Sequence, residues 1–321
     1  MDSTVAYTPP FVHEQPRERP TWGFAEGDEL APGRTVLRRI GGGRRYEALL
    51  VWDEHRLAVL VAKVLRPDHA QDPIALHDLR REATLLERLA HPVVVRGFGA
   101  HLEEAGAGRS RPLGDDSPPN EPAGRGSARF PHLVLEHLDG PTLDELLAQG
   151  GPLAIEQLLP LGLHVASALH YLAGEGIVHL DVKPSNIVMG GPPRLIDLSV
   201  ARTLHHAAAL RSPIGTDAFM APEQCEPDGR LGPPADVFGL AATLYTALTG
   251  ARPFPPCEDR WPQLTALPAP LPRRTPKALA AILTRGMAQD PASRPTARDF
   301  AVALEPLVAA LPRRMTLGRR G

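Results

Sequence analysis

The sequence predicts an α+β fold of two lobes: an antiparallel sheet with one helix over residues 31–138, then a mostly helical lobe over residues 139–312. Three observations predict it. Short runs of Val, Leu and Ile separated by Gly, Asp and Glu fill the first half, the pattern of strands joined by tight turns. Apolar residues at helical spacing dominate beyond Gly140. Within the first half that spacing is confined to Pro73–Ala90. Strands first and helices after imply separate layers with a cleft between the lobes, where ligands tend to bind.

Residues 1–30 place Pro9, Pro10, Pro16 and Pro20 among charges, which predicts a disordered tail. Strands are then expected from Thr35 to Ile40, running into Gly41-Gly42-Gly43, from Tyr46 to Trp52, and from Leu57 to Leu65. The short gaps between them predict an antiparallel meander. From Pro73 to Ala90, Leu76, Leu79, Ala83, Leu86 and Leu89 share one helical face. Val93–Phe98 reads as a further strand. Residues 102–130, rich in Gly, Pro, Ser and Arg, predict a flexible insert before a buried strand over Pro131–Leu138. Helices follow at Leu143–Gln149, Ile155–Glu175, Ala235–Thr249, Lys277–Ala288 and Ala297–Ala310, and residues 313–321 form a basic tail.

Composition excludes several functions. A net charge of -2 and aromatic content of 5% argue against a nucleic-acid partner. Two cysteines, Cys225 and Cys257, make a disulfide framework improbable and point to a reducing, cytoplasmic setting. No apolar run reaches the length of a membrane span, and the N-terminus has no apolar signal core. The pair His205-His206 among alanines reads as ordinary rather than metal-binding.

Lysine usage is the sharpest clue. Three of the 35 basic residues are lysines: Lys63, Lys183 and Lys277. In a chain that otherwise uses Arg, a retained Lys marks a place for a compact point charge. Lys183 lies in His179-Leu180-Asp181-Val182-Lys183-Pro184-Ser185-Asn186, and Asp197 follows after a short strand. A carboxylate, an amine and an amide in one short stretch, then a second carboxylate, are the equipment for holding a metal–nucleotide complex and deprotonating a hydroxyl.

Taken with Leu60-Val61-Ala62-Lys63 and Gly215-Thr216-Asp217-Ala218-Phe219-Met220-Ala221-Pro222-Glu223, these motifs make the chain resemble a bacterial eukaryotic-type (Hanks-type) Ser/Thr protein kinase over residues 31–312. The resemblance implies a two-lobed protein-kinase-like fold, ATP with Mg²⁺ or Mn²⁺ as cofactors, and a protein Ser or Thr hydroxyl as acceptor. Gly41 and Gly43 resemble the start of the glycine-rich loop over the phosphates, with Arg44 and Arg45 at its tip in solvent. Lys63 would bind the α/β-phosphates and pair with Glu82. Asp181 would be the catalytic base, Lys183 would balance charge on the transferring phosphoryl group, and Asn186 and Asp197 would hold metal. Leu135 would be the gatekeeper, with the carbonyl of Glu136 and the N–H of Leu138 at the adenine edge. Ala48 and Val61 would lie above the ring and Val188 below it. Thr216 would meet Asp181 and Lys183, Glu223 would pair with Arg294, and Asp236 would anchor the catalytic loop. Thr203 and Ser212 are candidate phosphosites for autophosphorylation, Thr316 follows basic residues but reads as solvated tail, and the family includes homodimers.

Three departures matter. Tyr46 stands where the family's third glycine is expected. Leu180 replaces the usual Arg, which implies activity independent of activation-segment phosphorylation. Ser199 replaces the Gly of DFG and removes a permissive hinge. Tyr46 and Ser199 leave open a pseudokinase acting as a nucleotide-binding scaffold. A small-molecule kinase of the same fold is a third reading, opposed by Ala221-Pro222-Glu223.

Overall fold

The structure, a computed structural model, describes residues 19–102, 130–254 and 259–312. The described residues divide into two compact units, one covering residues 19–89, 95–102 and 130–137, the other residues 90–94, 138–254 and 259–312.

The first unit is built on β1 (Glu29–Ala31), β2 (Arg34–Gly42), β3 (Tyr46–Asp53), β4 (Ala58–Leu65), α1 (Pro73–Arg88), β5 (Gly97–His101) and β6 (His132–Glu136). The strands form one antiparallel sheet in the order β1-β2-β3-β4-β6-β5. Alternation decides the faces. Val36, Leu49, Val51, Leu60, Ala62, Val64 and Val134 share one face and form a core with Leu30. Ala48, Val61 and Lys63 point the other way and are half-buried. Antiparallel register sets Ala48 beside Lys63 and Val61 beside Leu135. Two register shifts in β2, the second between Arg39 and Gly41, mark bulges just ahead of the glycines. Asp72 caps α1 by accepting the Ile74 N–H, and Pro73 fills the first helical position.

Two expectations are corrected here. The tail predicted over residues 1–30 is packed structure from residue 19 onward. Trp22 and Phe24 each set an edge on Phe130, with ring centroids 4.8 Å apart, and all three pack on the sheet core. Two aromatics among the prolines supply enough apolar surface to offset the ordering entropy. The strand expected over Val93–Phe98 begins at Gly97 instead. Val93 and Val94 belong to the second unit, where Val94 bridges Leu195 and the Leu195 N–H donates to Val93 O over 2.6 Å. A run of valines is buried in either arrangement, so its composition does not fix the pairing. Gly97 suits β5 because a Cβ there would lie 2.8 Å from Leu86 Cβ on α1. Residues 1–18, residues 103–129 of the predicted insert and the basic tail 313–321 lie outside the described residues.

The second unit contains α2 (Leu143–Gly150), α3 (Ile155–Gly174), β7 (Ile177–Val178), β8 (Ile187–Val188), β9 (Arg194–Leu195), β10 (Arg202–Thr203), α4 (Leu204–Ala209), α5 (Pro222–Cys225), α6 (Pro233–Thr249), α7 (Lys277–Gly286) and α8 (Ala297–Ala309). Thr142 and Glu145 form a reciprocal capping box on α2. Helix α6 is apolar on every side, and all its residues from Ala235 to Ala247 are buried. A helix without a polar face belongs at the centre of a core. Helices α3, α7 and α8 and strand β7 pack around it. Two short antiparallel ladders, β7 with β10 and β8 with β9, hold the loops that carry the polar motifs. Among the described residues no helix is long and apolar enough to cross a membrane.

Candidate active site

In the sheet unit, Lys63 Nζ lies 2.9 and 2.8 Å from the two carboxylate oxygens of Glu82. Glu82 is 1% exposed, on the face that α1 turns to the sheet. A carboxylate that deep needs a charged partner. Gly41 and Gly42 have φ of 154° and 147°. A Cβ at Gly42 would sit 2.5 Å from Tyr46 O, so the turn back into β3 admits only glycine. Gly43 O accepts from Arg66 Nε at 3.0 Å. Arg45 keeps 42% of its side chain in solvent and also reaches Asp78 at 2.9 Å, because α1 passes within range of the loop's end. Tyr46 carries its ring 4.5 Å from Lys63 Nζ, a cation–π distance. Glu136 ends β6, and its Oε1 accepts the Arg96 N–H at 2.6 Å. Leu135 is 8% exposed. Leu138 and Val188 belong to the second unit, where Val188 bridges Thr142.

The second unit gathers the polar loop residues tightly. Between β7 and β8 the chain turns through Leu180, whose φ of 65° is left-handed. That conformation costs a non-glycine residue roughly 1–2 kcal/mol. Its stabilisation is visible: Asp236, in the first turn of α6, accepts the N–H groups of His179 and Leu180 at 2.8 and 2.7 Å. Burial raises the Asp236 carboxyl above the usual range, against the pull of His179 and these two N–H groups. Leu180 itself is an apolar plug, 3% exposed.

Asp181 is the hub. Its Oδ1 accepts from Thr216 Oγ1 at 2.7 Å, and its Oδ2 lies 2.7 Å from Lys183 Nζ and 3.0 Å from Asn186 Nδ2. Lys183 also donates to Thr216 Oγ1 at 2.6 Å. Asn186 Nδ2 further reaches Asp181 O at 2.9 Å, which fixes the amide and points its oxygen elsewhere. The β8–β9 ladder continues as Ile196 N–H to Asn186 O at 2.9 Å, so Asn186 and the next residue, Asp197, are held by one hairpin. Asp197 has a φ of 69°, and its Oδ1 accepts the Ser199 N–H at 3.3 Å. One amide oxygen and one carboxylate are hard donors, which suits a Mg²⁺ ion that completes its shell with phosphate oxygens and water.

Four residues that sequence reasoning missed brace the polar motifs, three in the second unit and one in the sheet unit. Gln224 Nε2 donates to Leu180 O at 2.9 Å and Ile214 O at 2.8 Å, tying the loop between β7 and β8 to the segment before Gly215. Gln263 Nε2 reaches Asp217 O at 2.8 Å and Met220 O at 3.1 Å. Arg260 forks onto the Asp217 carboxylate at 2.8 and 3.2 Å. Arg66 holds the glycine turn, as described above. Nothing in composition or spacing marks these positions, because each works through backbone carbonyls or a pairing across the fold. Cys225 is free and buried, and burial pushes its thiol up to about 12, which removes it as a nucleophile.

A family model described as protein kinase domain matches residues 34–303. The chain is similar to serine/threonine-protein kinase PknB of Mycolicibacterium smegmatis, with 29% identity over 79% of this chain and 39% of that protein. It is 30% identical to the proteins of the same name from Mycobacterium leprae and Mycobacterium tuberculosis, over 67% of this chain and 32% of each of them. The chain thus spans between 32 and 39% of the length of these curated relatives.

Proposed function

The chain belongs to the protein kinase family, and we propose that it transfers the γ-phosphate of ATP to Ser or Thr hydroxyls of proteins, with Mg²⁺ or Mn²⁺. The observation that carries this reading is the closed network of Asp181, Lys183, Asn186 and Thr216. A carboxylate fixed by three donors is oriented before the acceptor arrives, and phosphoryl transfer depends mainly on such positioning and on charge stabilisation. Asp181 accepts the acceptor hydroxyl's proton. Lys183 supplies positive charge beside the transferring group. Thr216 keeps both in register, and Lys63, oriented by Glu82, takes the α/β-phosphates. Asn186 and Asp197 hold the metal, which when bound neutralises phosphate charge. Gly41 and Gly43 offer backbone N–H groups to phosphate oxygens. Ala48, Val61, Glu136, Leu138 and Val188 receive the base.

The acceptor is a protein, this chain included. The segment Asp217–Glu223, clamped by Arg260, Gln263 and Arg294, supports peptide docking. Two cysteines, too few for a disulfide framework, support a reducing compartment such as the cytoplasm. The second reading, a nucleotide-binding scaffold, is favoured by Tyr46, whose ring faces the Lys63 ammonium where the family pattern has glycine.

The test is label transfer from γ-labelled ATP, to the protein itself and to a basic acceptor protein, beside Asp181→Asn. We expect the variant to lose about 10²–10⁴-fold in transfer rate, the range for a general base, with nucleotide binding retained. Equal turnover in the variant removes Asp181 from the mechanism. No transfer by either protein, with nucleotide still bound, selects the scaffold.

A further inference from the structure

Arg66 lies just past β4 and is 3% exposed. Its backbone N–H donates to Arg45 O at 2.9 Å and its Nε to Gly43 O at 3.0 Å. One residue therefore gathers two carbonyls of the glycine turn. Its Nη1 donates to Pro20 O at 3.0 Å. Two residues on, Trp22 N–H donates to Glu47 Oε1 at 3.0 Å, and Trp22 Nε1 donates to Leu65 O at 2.8 Å. Glu47, 2% exposed, is the second residue of the return strand β3. The segment from Pro20 to Trp22 is thus tied to Glu47 on the return strand, to Leu65 at the end of β4 and to Arg66.

A loop that binds phosphate must present N–H groups to the anion and keep its carbonyl oxygens, which repel it, turned elsewhere with partners of their own. An arginine suits that task, because its planar fork donates along separate edges at once. A lysine's point charge cannot hold Gly43 and Pro20 in the same fixed geometry.

We infer that Arg66 is a positioning residue for the glycine-rich loop, holding the loop's carbonyls away from the nucleotide, and that the segment from Pro20 to Trp22 locks Arg66 in place. This rests on the reading that Gly41–Gly43 receives nucleotide phosphates.

The experiment compares full-length protein with Arg66→Met, which keeps the apolar stem, and with Arg66→Lys. Amide hydrogen exchange reads the loop directly, without reference to activity. Exchange across Gly41–Tyr46 should quicken in Arg66→Met while α6 stays as protected as before. The affinity for ATP, read as KM or by displacement of a fluorescent nucleotide, should weaken about tenfold, the loss of charge-assisted hydrogen bonds, with kcat within about twofold. Arg66→Lys should fall between the two proteins. Unchanged loop exchange overturns the inference. So does faster exchange throughout the unit, which marks a merely structural arginine, and so does full recovery by lysine. A parent protein that binds nucleotide but transfers no label fails the kinase reading alone, and loop exchange and affinity still decide the role of Arg66.

Discussion

Arg294 grips the carboxylate of Glu223 with Nη1 and Nη2 at 2.7 and 2.8 Å from its two oxygens, across 71 residues of sequence. The same guanidinium donates to the carbonyls of Ala288, Gln289 and Pro234 at 2.7–3.0 Å. Both side chains are nearly inaccessible, at 0% and 7% exposure. Removing one member leaves a buried charge unpaired, so Arg294→Met should cost about 3–5 kcal/mol of stability. Arg294→Lys should recover little, since an ammonium cannot reproduce the fork. Urea unfolding measures both, and a lysine variant as stable as the parent would refute this account.

Thr216 joins Asp181 to Lys183 through a single hydroxyl. Thr216→Val keeps the shape and removes a donor to one charged group and an acceptor for another. A hydrogen bond to a charged group is worth about 1.5–3 kcal/mol, so transfer should fall roughly 10- to 100-fold with little change in unfolding midpoint. Thr216→Ser should retain most of the rate. A valine variant at full rate would mean that Asp181 is held well enough by Lys183 and Asn186.

Local spacing carries what was legible in the sequence. Lys63 and Glu82 are 19 residues apart, on a strand and a helix whose periodicities are both clear, and the structure brings them into contact. Glu223 and Arg294 are legible only because their motifs resemble a known pattern. The order of Trp22 and Phe24 is not legible, because their cover, Phe130, lies 106 residues beyond Phe24. Gln224 and Gln263 satisfy backbone carbonyls that sequence reasoning cannot place. The limits of β5 are equally obscure, since Gly97 and Gly99 are poor strand formers and Gly97 is called for only by the close approach of Leu86 on α1.

Gly215 has a φ of 120°, and a Cβ there would meet Leu180 O at 2.7 Å. Gly215→Ala should therefore combine backbone strain of roughly 1–3 kcal/mol with displacement of the carbonyl next to Asp181. Activity should fall more steeply than stability, because Leu180 O is also the acceptor that Gln224 uses to align the loop. Parallel measurement of label transfer and chemical unfolding checks this. Equal losses in both would show that the strain spreads through the unit rather than settling on the loop that carries Asp181.

His132 is the buried histidine whose titration should govern acid stability. It is 1% exposed, its Nδ1 lies 2.7 Å from Phe130 O, and its Nε2 lies 3.2 Å from Arg34 Nη1. Arg34 can only donate, so Nε2 accepts and Nδ1 carries the proton. A second proton would face the guanidinium in a dry site beside His101. Burial first, and then the charges nearby, hold the His132 pKa down to about 3, outweighing the pull of Phe130 O. Unfolded, the same ring titrates near 6.5. The folded pKa is depressed below the unfolded one, so the unfolded chain binds one more proton between these values, and stability falls as pH drops through that window. The slope is about 1.4 kcal/mol per pH unit for this one group. Above pH 6.5 the ring is neutral in both states and the dependence vanishes. His132→Gln should lower stability at pH 7 by little more than its altered packing and flatten the acid limb by one proton. Urea midpoints for both proteins from pH 7 to pH 4.5 decide it, and parallel acid limbs would assign the dependence to other groups.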